Sequence, residues 1–464
     1  MNAVQKQMGA CSSASKAWIF LGAFALLVVF TGGASRFDAI QIVPLRSLSC
    51  LMLIPAIYYF SLKEMRREWV LLALLGALAL LTAVQLVPLP PSIWRALPGR
   101  EVIVGLDEAL GMEDVWRPLT MTPMRTWNAL GALVVPVAGL LLAISLAASA
   151  RVLLHVVAGL GVLNALLGLM QVASGRFSPL YLYEVTNRGG VVGIFANENH
   201  SGIFAACCML VVAHLGIRSW TDRGHKWMRL IYPAAFVLIL LAALVGGSRA
   251  GFAAALGAVF VSFGMFALAP SFGKGRSAGD PIRAWMDRHP AVTIVLPLIA
   301  VLMTVFSFVA LGRSSAFVDL LARDSFADLR WELWPVLADM LSTFWLVGSG
   351  FGSFEQVYRV YEPAELLMPR YVNQAHNDWL QLLIEGGILS GALLVATLLW
   401  VAKSIWKLAR VNSGRATALF WFGLFAIIGG ASLVDYPLRT PLFQIVCVWL
   451  LLALSRDYRG HKAT

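Results

Sequence analysis

The chain has 464 residues, 59% of them hydrophobic and 13% charged, with a mean hydropathy of +0.76 and a formal net charge of +11. That composition excludes an ordinary soluble domain, in which about a quarter of the residues are charged, and it fits a polytopic membrane protein. The positive charge reads as a product of membrane topology, not as a nucleic-acid-binding surface.

A helix that crosses a bilayer needs roughly 17–25 mostly apolar residues. Twelve stretches are read as spans: residues 17–33, 41–62, 69–87, 127–148, 152–173, 201–217, 230–245, 251–269, 291–311, 379–401, 416–434 and 441–454. The first also has signal-peptide length. It is read as a retained span, because Thr31-Gly32-Gly33-Ala34-Ser35 is a weak cleavage site and a multi-span chain normally keeps its first helix. The expected fold is an all-α polytopic membrane protein, a single integral membrane domain over residues 1–464 with about 12 transmembrane helices.

Basic residues concentrate on the cytoplasmic side of membrane proteins. With both termini inside, Lys63, Arg66, Arg67, Arg218, Arg229, Lys274, Lys403, Lys407, Arg456 and Arg459 all fall on that side, and most acidic residues fall outside. Every lysine is then cytoplasmic and every outer cation is an arginine. A guanidinium grips phosphate oxygens as a planar fork, whereas an ammonium is a point charge. Insertion that tolerates a few outer arginines accounts for the bias as a whole and leaves room for one or two of them to be ligands. Of the five cysteines, Cys11 lies in the inner tail and Cys50, Cys207, Cys208 and Cys447 lie within spans, so neither a disulfide framework nor zinc-ligand spacing is present.

Three outer segments stand out. Residues 88–125 form an interfacial loop rich in proline and tryptophan, a composition suited to headgroup level. Residues 174–200 are glycine-rich. Residues 313–377 form a long periplasmic loop, within which 328–341 has the apolar spacing of an amphipathic helix lying on the membrane, with Pro335 expected near its first turn. Gly348-Ser349-Gly350-Phe351-Gly352 then makes a turn, and long ordered loops tend to be functional.

The ionisable candidates all lie on this outer side. His376 stands at the lip of the tenth span, where a histidine either caps the helix or does chemistry. Arg249 sits in a tight glycine-flanked connection that aims it at a fixed place, although snorkelling to headgroups is the common fate of such an arginine. Arg330 lies within pairing reach of Asp328 and Glu332. Asp435 and Arg439 flank a short turn and are expected to pair across it. His155, His214, His225 and His289 lie at inner ends or in inner loops and are read as bystanders.

Together these motifs resemble the O-antigen ligase and O-antigen (exopolysaccharide) polymerase superfamily of bacterial inner-membrane glycosyltransferases. The resemblance is carried by His376-Asn377 with Leu380-Gln381, Glu385 and Gly387, and by Arg330 and Trp334 followed by the 348–352 turn. Ser248-Arg249-Ala250-Gly251, Phe195-Ala196-Asn197-Glu198-Asn199, the prolines at 88, 90 and 91, and Pro118-Leu119-Thr120 add to it. The ligase-related region covers about residues 190–400. Many relatives have proline where this chain has Glu198, and that residue is given no role.

The resemblance implies a GT-C-like fold and a polyprenyl diphosphate-linked oligosaccharide as donor. It implies transfer to an acceptor hydroxyl on the periplasmic face of the inner membrane. The acceptor is lipid A-core, a second lipid-linked glycan or, in a protein O-oligosaccharyltransferase, a serine or threonine. His376 is implied as catalytic base, Arg249 and Arg330 as diphosphate ligands, and Asn377, Gln381 and Glu385 as supporting residues. No metal, cofactor or nucleic acid is expected, and a single inverting displacement is expected because no carboxylate stands out as a nucleophile. A lipid-glycan flippase is the reading from another class. It predicts charged or broken helices at the bilayer midplane, whereas the span centres here are nearly free of charge.

Overall fold

A computed structural model describes residues 2–221, 228–269, 289–310, 325–367 and 372–460. The fold is almost wholly helical. In chain order the helices are α1 (Asn2–Thr31), α2 (Ile42–Tyr58), α3 (Leu62–Arg67), α4 (Trp69–Val84), α5 (Pro91–Trp94), α6 (Glu101–Ala109), α7 (Pro123–Ala132), α8 (Val134–Ser145) and α9 (Ala150–Ser174). They continue as α10 (Glu198–Thr221), α11 (Met228–Val245), α12 (Arg249–Ala267), α13 (Pro290–Ala310), α14 (Ser325–Phe344), α15 (Phe354–Tyr361), α16 (Asp378–Ala409), α17 (Arg415–Val434) and α18 (Pro441–Gly460).

Seven of these segments are long and apolar enough to cross a membrane: Pro123–Ser145, Ala150–Ser174, Glu198–Ser219, Arg249–Ala267, Asp378–Ala409, Asn412–Val434 and Pro441–Gly460. Five shorter apolar helices, Ser15–Thr31, Ile42–Tyr58, Trp69–Val84, Leu230–Val245 and Pro297–Phe308, occupy the other five predicted positions. The chain is an all-α, multi-pass membrane protein.

At the centre lies α10, packed against α9, α11, α12 and α17. Between helices in lipid the drive is close packing, which small residues permit by letting backbones approach. At the α10–α12 crossing a Cβ on Gly251 would stand 2.8 Å from the Gly202 Cα, so both positions require glycine. Phe195, Phe204 and Phe443 cluster just beside this crossing, with ring centroids 5.3–5.7 Å apart.

The 88–125 segment is closed by a two-stranded antiparallel ribbon pairing Pro88 with Pro118 and Leu89 with Arg117. Trp116 is exposed, but Trp94 is buried with its indole N–H donating to the Pro118 carbonyl at 2.8 Å. The segment is fastened by the buried Arg100, whose guanidinium donates to the carbonyls of Pro98, Leu119 and Gly348. Pro335 departs from expectation. Its helix α14 begins at Ser325, so the proline lies in the interior, where it removes one backbone donor without ending the helix.

Candidate active site

Helix α16 is built to carry polar groups inward at its start. Asn377 is its N-cap, its side chain accepting from the Leu380 N–H at 3.0 Å. Asp378, Gln381 and Glu385 follow at helical spacing on one face, and all three are buried. A buried carboxylate is costly unless paired. Glu385 receives Arg439 Nη1 at 2.7 Å, Gln381 Nε2 at 3.1 Å and the Phe354 N–H at 3.3 Å. Asp378 accepts from Ser432 at 3.2 Å and from the Leu438 N–H at 3.1 Å, with Arg439 Nε 3.5 Å away.

Two residues after Glu385 the helix breaks. Gly387 has φ +62° and ψ −161°, and the 346–350 backbone fills the gap. The N–H groups of Ser349 and Gly350 donate to the carbonyls of Ile384 and Glu385, both at 2.9 Å. Gln85, just past α4, donates to that same Glu385 carbonyl and accepts from the Phe351 N–H. The glycine-rich turn predicted at 348–352 is thus the plug of a broken helix.

His376 precedes the N-cap. Gln381 accepts from the Ala375 N–H at 2.9 Å and donates to Gln374 at 2.6 Å, strapping this stretch to the first turn of α16. The strap leaves His376 in the left-handed region at φ +50°. Because Asn377 does the capping, the histidine is free of that role. Its ring is 18% exposed, lies 4.9 Å edge-on from Tyr436, and places Nδ1 3.9 Å from Asp435 Oδ1.

Asp435 does not pair across its turn with Arg439. The turn points the two side chains apart, Arg439 into the carboxylates of α16 and Asp435 towards two imidazoles. The second imidazole is His200, in the first turn of α10, with Nε2 3.6 Å from Asp435 Oδ1. Burial works to raise the Asp435 carboxyl, but His200, then His376 and the Tyr436 N–H, outweigh it and hold it down at about 2, from an ordinary 3.8. Sequence reasoning passed over His200. Its signal was the one that selected His376, a histidine at the lip of a predicted span.

Arg249 is the first residue of α12, placed by Ser248, which caps the helix by accepting from the Gly251 N–H at 2.9 Å. The Gly202–Gly251 crossing sets it beside the α10 turn that follows His200. Its side chain is half-buried. Arg330 lies within α14, and its side chain is outside the described residues. The structure therefore brings His376, Asn377, Gln381 and Glu385 together, and it places Arg249 at the start of α12, which crosses α10 in the turn that follows His200.

A cavity of about 510 Å³ borders the Asp378–Gln381–Glu385 face of α16 and Arg439, while His376, Asp435 and His200 are not among its lining residues. Its polar end is lined by Arg46, Arg125, Gln374, Gln381, Glu385 and Arg439, and its depth by leucines of α4 and α16 such as Leu75, Leu78, Leu394 and Leu398. An amphiphile is the shape such a cavity accommodates.

No curated protein matches the chain. Residues 234–395 match the family described as O-antigen ligase (Wzy_C), a stretch running from α11 through the break in α16. It contains Arg249, Arg330, the 348–352 plug and His376, and stops short of Asp435 and Arg439. Over this segment the chain is similar to the O-antigen ligase family.

Proposed function

We propose that this protein moves a glycan from a polyprenyl diphosphate carrier to an acceptor hydroxyl at the periplasmic face of a bacterial inner membrane, in the ligation or polymerisation of surface polysaccharide. The carrying observation is His376 itself, held in a strained backbone conformation, partly exposed, and backed by a buried carboxylate at 3.9 Å. Strained residues persist where the surroundings over-determine them, and they cluster at active sites.

His376 takes the proton of the acceptor hydroxyl as its oxygen attacks the anomeric carbon. The bond from that carbon to the diphosphate oxygen breaks, and the diphosphate leaves with the electron pair. Asp435 orients the imidazole and stabilises the imidazolium as it forms. Charge grows on the departing diphosphate, so fixed guanidiniums stabilise the transition state more than the substrate. Arg249 and Arg330 are assigned that role, without a metal. Asn377, Gln381 and Glu385 support the site by fixing the start of α16. One in-line displacement inverts the anomeric centre. The leucine-lined depth of the adjacent cavity supports an acceptor carried on a lipid, whether lipid A-core or a second lipid-linked glycan, over a protein acceptor.

The test is transfer by purified protein from a lipid-linked glycan with no membrane gradient, which a flippase does not perform. His376→Ala is expected to lose about 10²–10⁴-fold in turnover while still binding donor. Arg249→Lys is expected to lose nearly as much as Arg249→Ala, because a point charge does not reproduce a bidentate grip. Near-normal turnover of the His376→Ala protein, or retention of anomeric configuration, overturns this reading.

A further inference from the structure

His200 is the residue that this mechanism leaves without a task. Its ring is 1% exposed, and neither ring nitrogen makes a hydrogen bond. Buried polar groups in native structures are satisfied as a rule, so such an orphan calls for a reason. The surroundings supply one. Asp435 Oδ1 lies 3.6 Å from His200 Nε2 and 3.9 Å from His376 Nδ1, while Oδ2 of the same carboxylate is buried without a hydrogen bond. Tyr436 stands edge-on to both imidazoles, with centroids 5.1 Å from His200 and 4.9 Å from His376, and so fixes their separation. One carboxylate is thus shared by two histidines, one partly exposed and one sealed behind it.

We propose that His200 is a positioning residue for His376, holding the Asp435 carboxylate between the two imidazoles and so setting how strongly His376 takes up a proton. This rests on the reading of His376 as the catalytic base. A carboxylate that leans partly on His200 pulls less on His376. Removing that competitor gives the whole charge to His376, which then keeps its proton to higher pH. The other ionisable groups near His200 are Asp378 on α16, close enough to couple to it, Glu198 on its own helix and Arg249 on α12. Arg439 is occupied by Glu385 and Asp378. None of these bridges the two rings as Asp435 does.

The experiment follows the modification of His376 by diethylpyrocarbonate against pH, read peptide by peptide by mass spectrometry on full-length protein in detergent. The reagent attacks neutral imidazole, so the midpoint reports protonation of His376 without calling on its activity. His200→Leu is expected to move that midpoint up by about one pH unit, a tenfold change in proton affinity. His200→Gln, which keeps an N–H donor for Asp435, is expected to stay at the wild-type midpoint. His200→Met, unbranched and able to fill the same space, replaces the leucine variant if that one does not fold. Coincident midpoints in wild type and the apolar variants overturn the proposal, as does an equal shift in His200→Gln. The acid limb of transfer by the same proteins is expected to move with the midpoint. A midpoint that moves while the limb stays still supports the shared carboxylate and overturns His376 as the base.

Discussion

At His376 the backbone occupies a region that non-glycine residues avoid because Cβ crowds the following carbonyl, at a cost of about 1–2 kcal/mol. Among the described residues only Ala147 shares a positive φ without being glycine. The conformation is imposed by Gln381, whose amide satisfies Gln374 and the Ala375 N–H together. His376, Asn377, Gln381 and Glu385 were legible in the sequence because they share one short stretch with helical spacing. The partnership of Asp435 with His200 was not, because it spans separate helices and no local pattern brings the two together. The pKa of Asp435 is depressed below that of an unfolded aspartate, about 3.9. Its charged form therefore stabilises the fold above about pH 4, and that contribution fades as the pH falls from about 4 towards 2. Asp435→Asn is expected to lower the melting temperature in detergent at pH 7, with the gap to wild type narrowing below about pH 4. It is also expected to lower turnover at neutral pH by tenfold or more, since the imidazolium loses its counter-charge. A gap that is constant down to pH 3 would mean that the carboxylate contributes nothing through its charge.

At the scale of elements, the start of the site is held by a break in a helix. The φ and ψ of Gly387 fall in a region open essentially to glycine alone. A Cβ there would lie 2.6 Å from the Leu346 carbonyl oxygen and 2.7 Å from the Val347 carbonyl carbon, both backbone atoms with no side chain to yield. Gly387→Ala is expected to destabilise by on the order of 2 kcal/mol or more, read as a drop in melting temperature, with turnover falling as the 348–352 plug shifts. Gly159→Ala, where an added Cβ meets nothing within 4 Å, is the matched control and is expected to leave both unchanged. Equal effects of the two substitutions would show that the break is not what holds the plug. The glycine run at 348–352 was recognisable as a turn. Its role as a plug was not, since it depends on carbonyls that only the break in α16 releases. The expected Asp435–Arg439 pair failed for a similar reason. Glu385 and Asp378 offer Arg439 a buried, hydrogen-bonded seat that proximity along the chain does not match.

Across the whole molecule, hydropathy located the twelve apolar segments because a membrane helix advertises itself by composition alone. How many of them cross is a question of length. Helix α4 has 16 residues, about 24 Å at 1.5 Å per residue, against a hydrocarbon core of about 30 Å. Its two ends argue that it crosses nonetheless. At one end Glu68 is buried and receives Ser455 and Arg459 Nη2, each at 2.7 Å, from the last turns of α18. At the other end Gln85 binds the Glu385 carbonyl and the Phe351 N–H at the site. Helix α18 runs between the same two levels, from Leu442, whose N–H meets the Gly32 carbonyl, to Gly460. Helix α4 is thus tied at one end to the last turns of α18 and at the other to Glu385, which Arg439 joins to the start of α18, so α4 is expected to span what α18 spans. Between Lys63 and Asp114, both exposed, α4 is the one apolar helix. In a background with the cysteines replaced, Lys63→Cys is expected to react with an impermeant maleimide only in inverted vesicles, and Asp114→Cys only in intact spheroplasts. Labelling of both from one side would leave α4 within one leaflet, remove the basis for twelve crossings, and put the basic Lys63 end and the outer 88–125 segment in the same compartment.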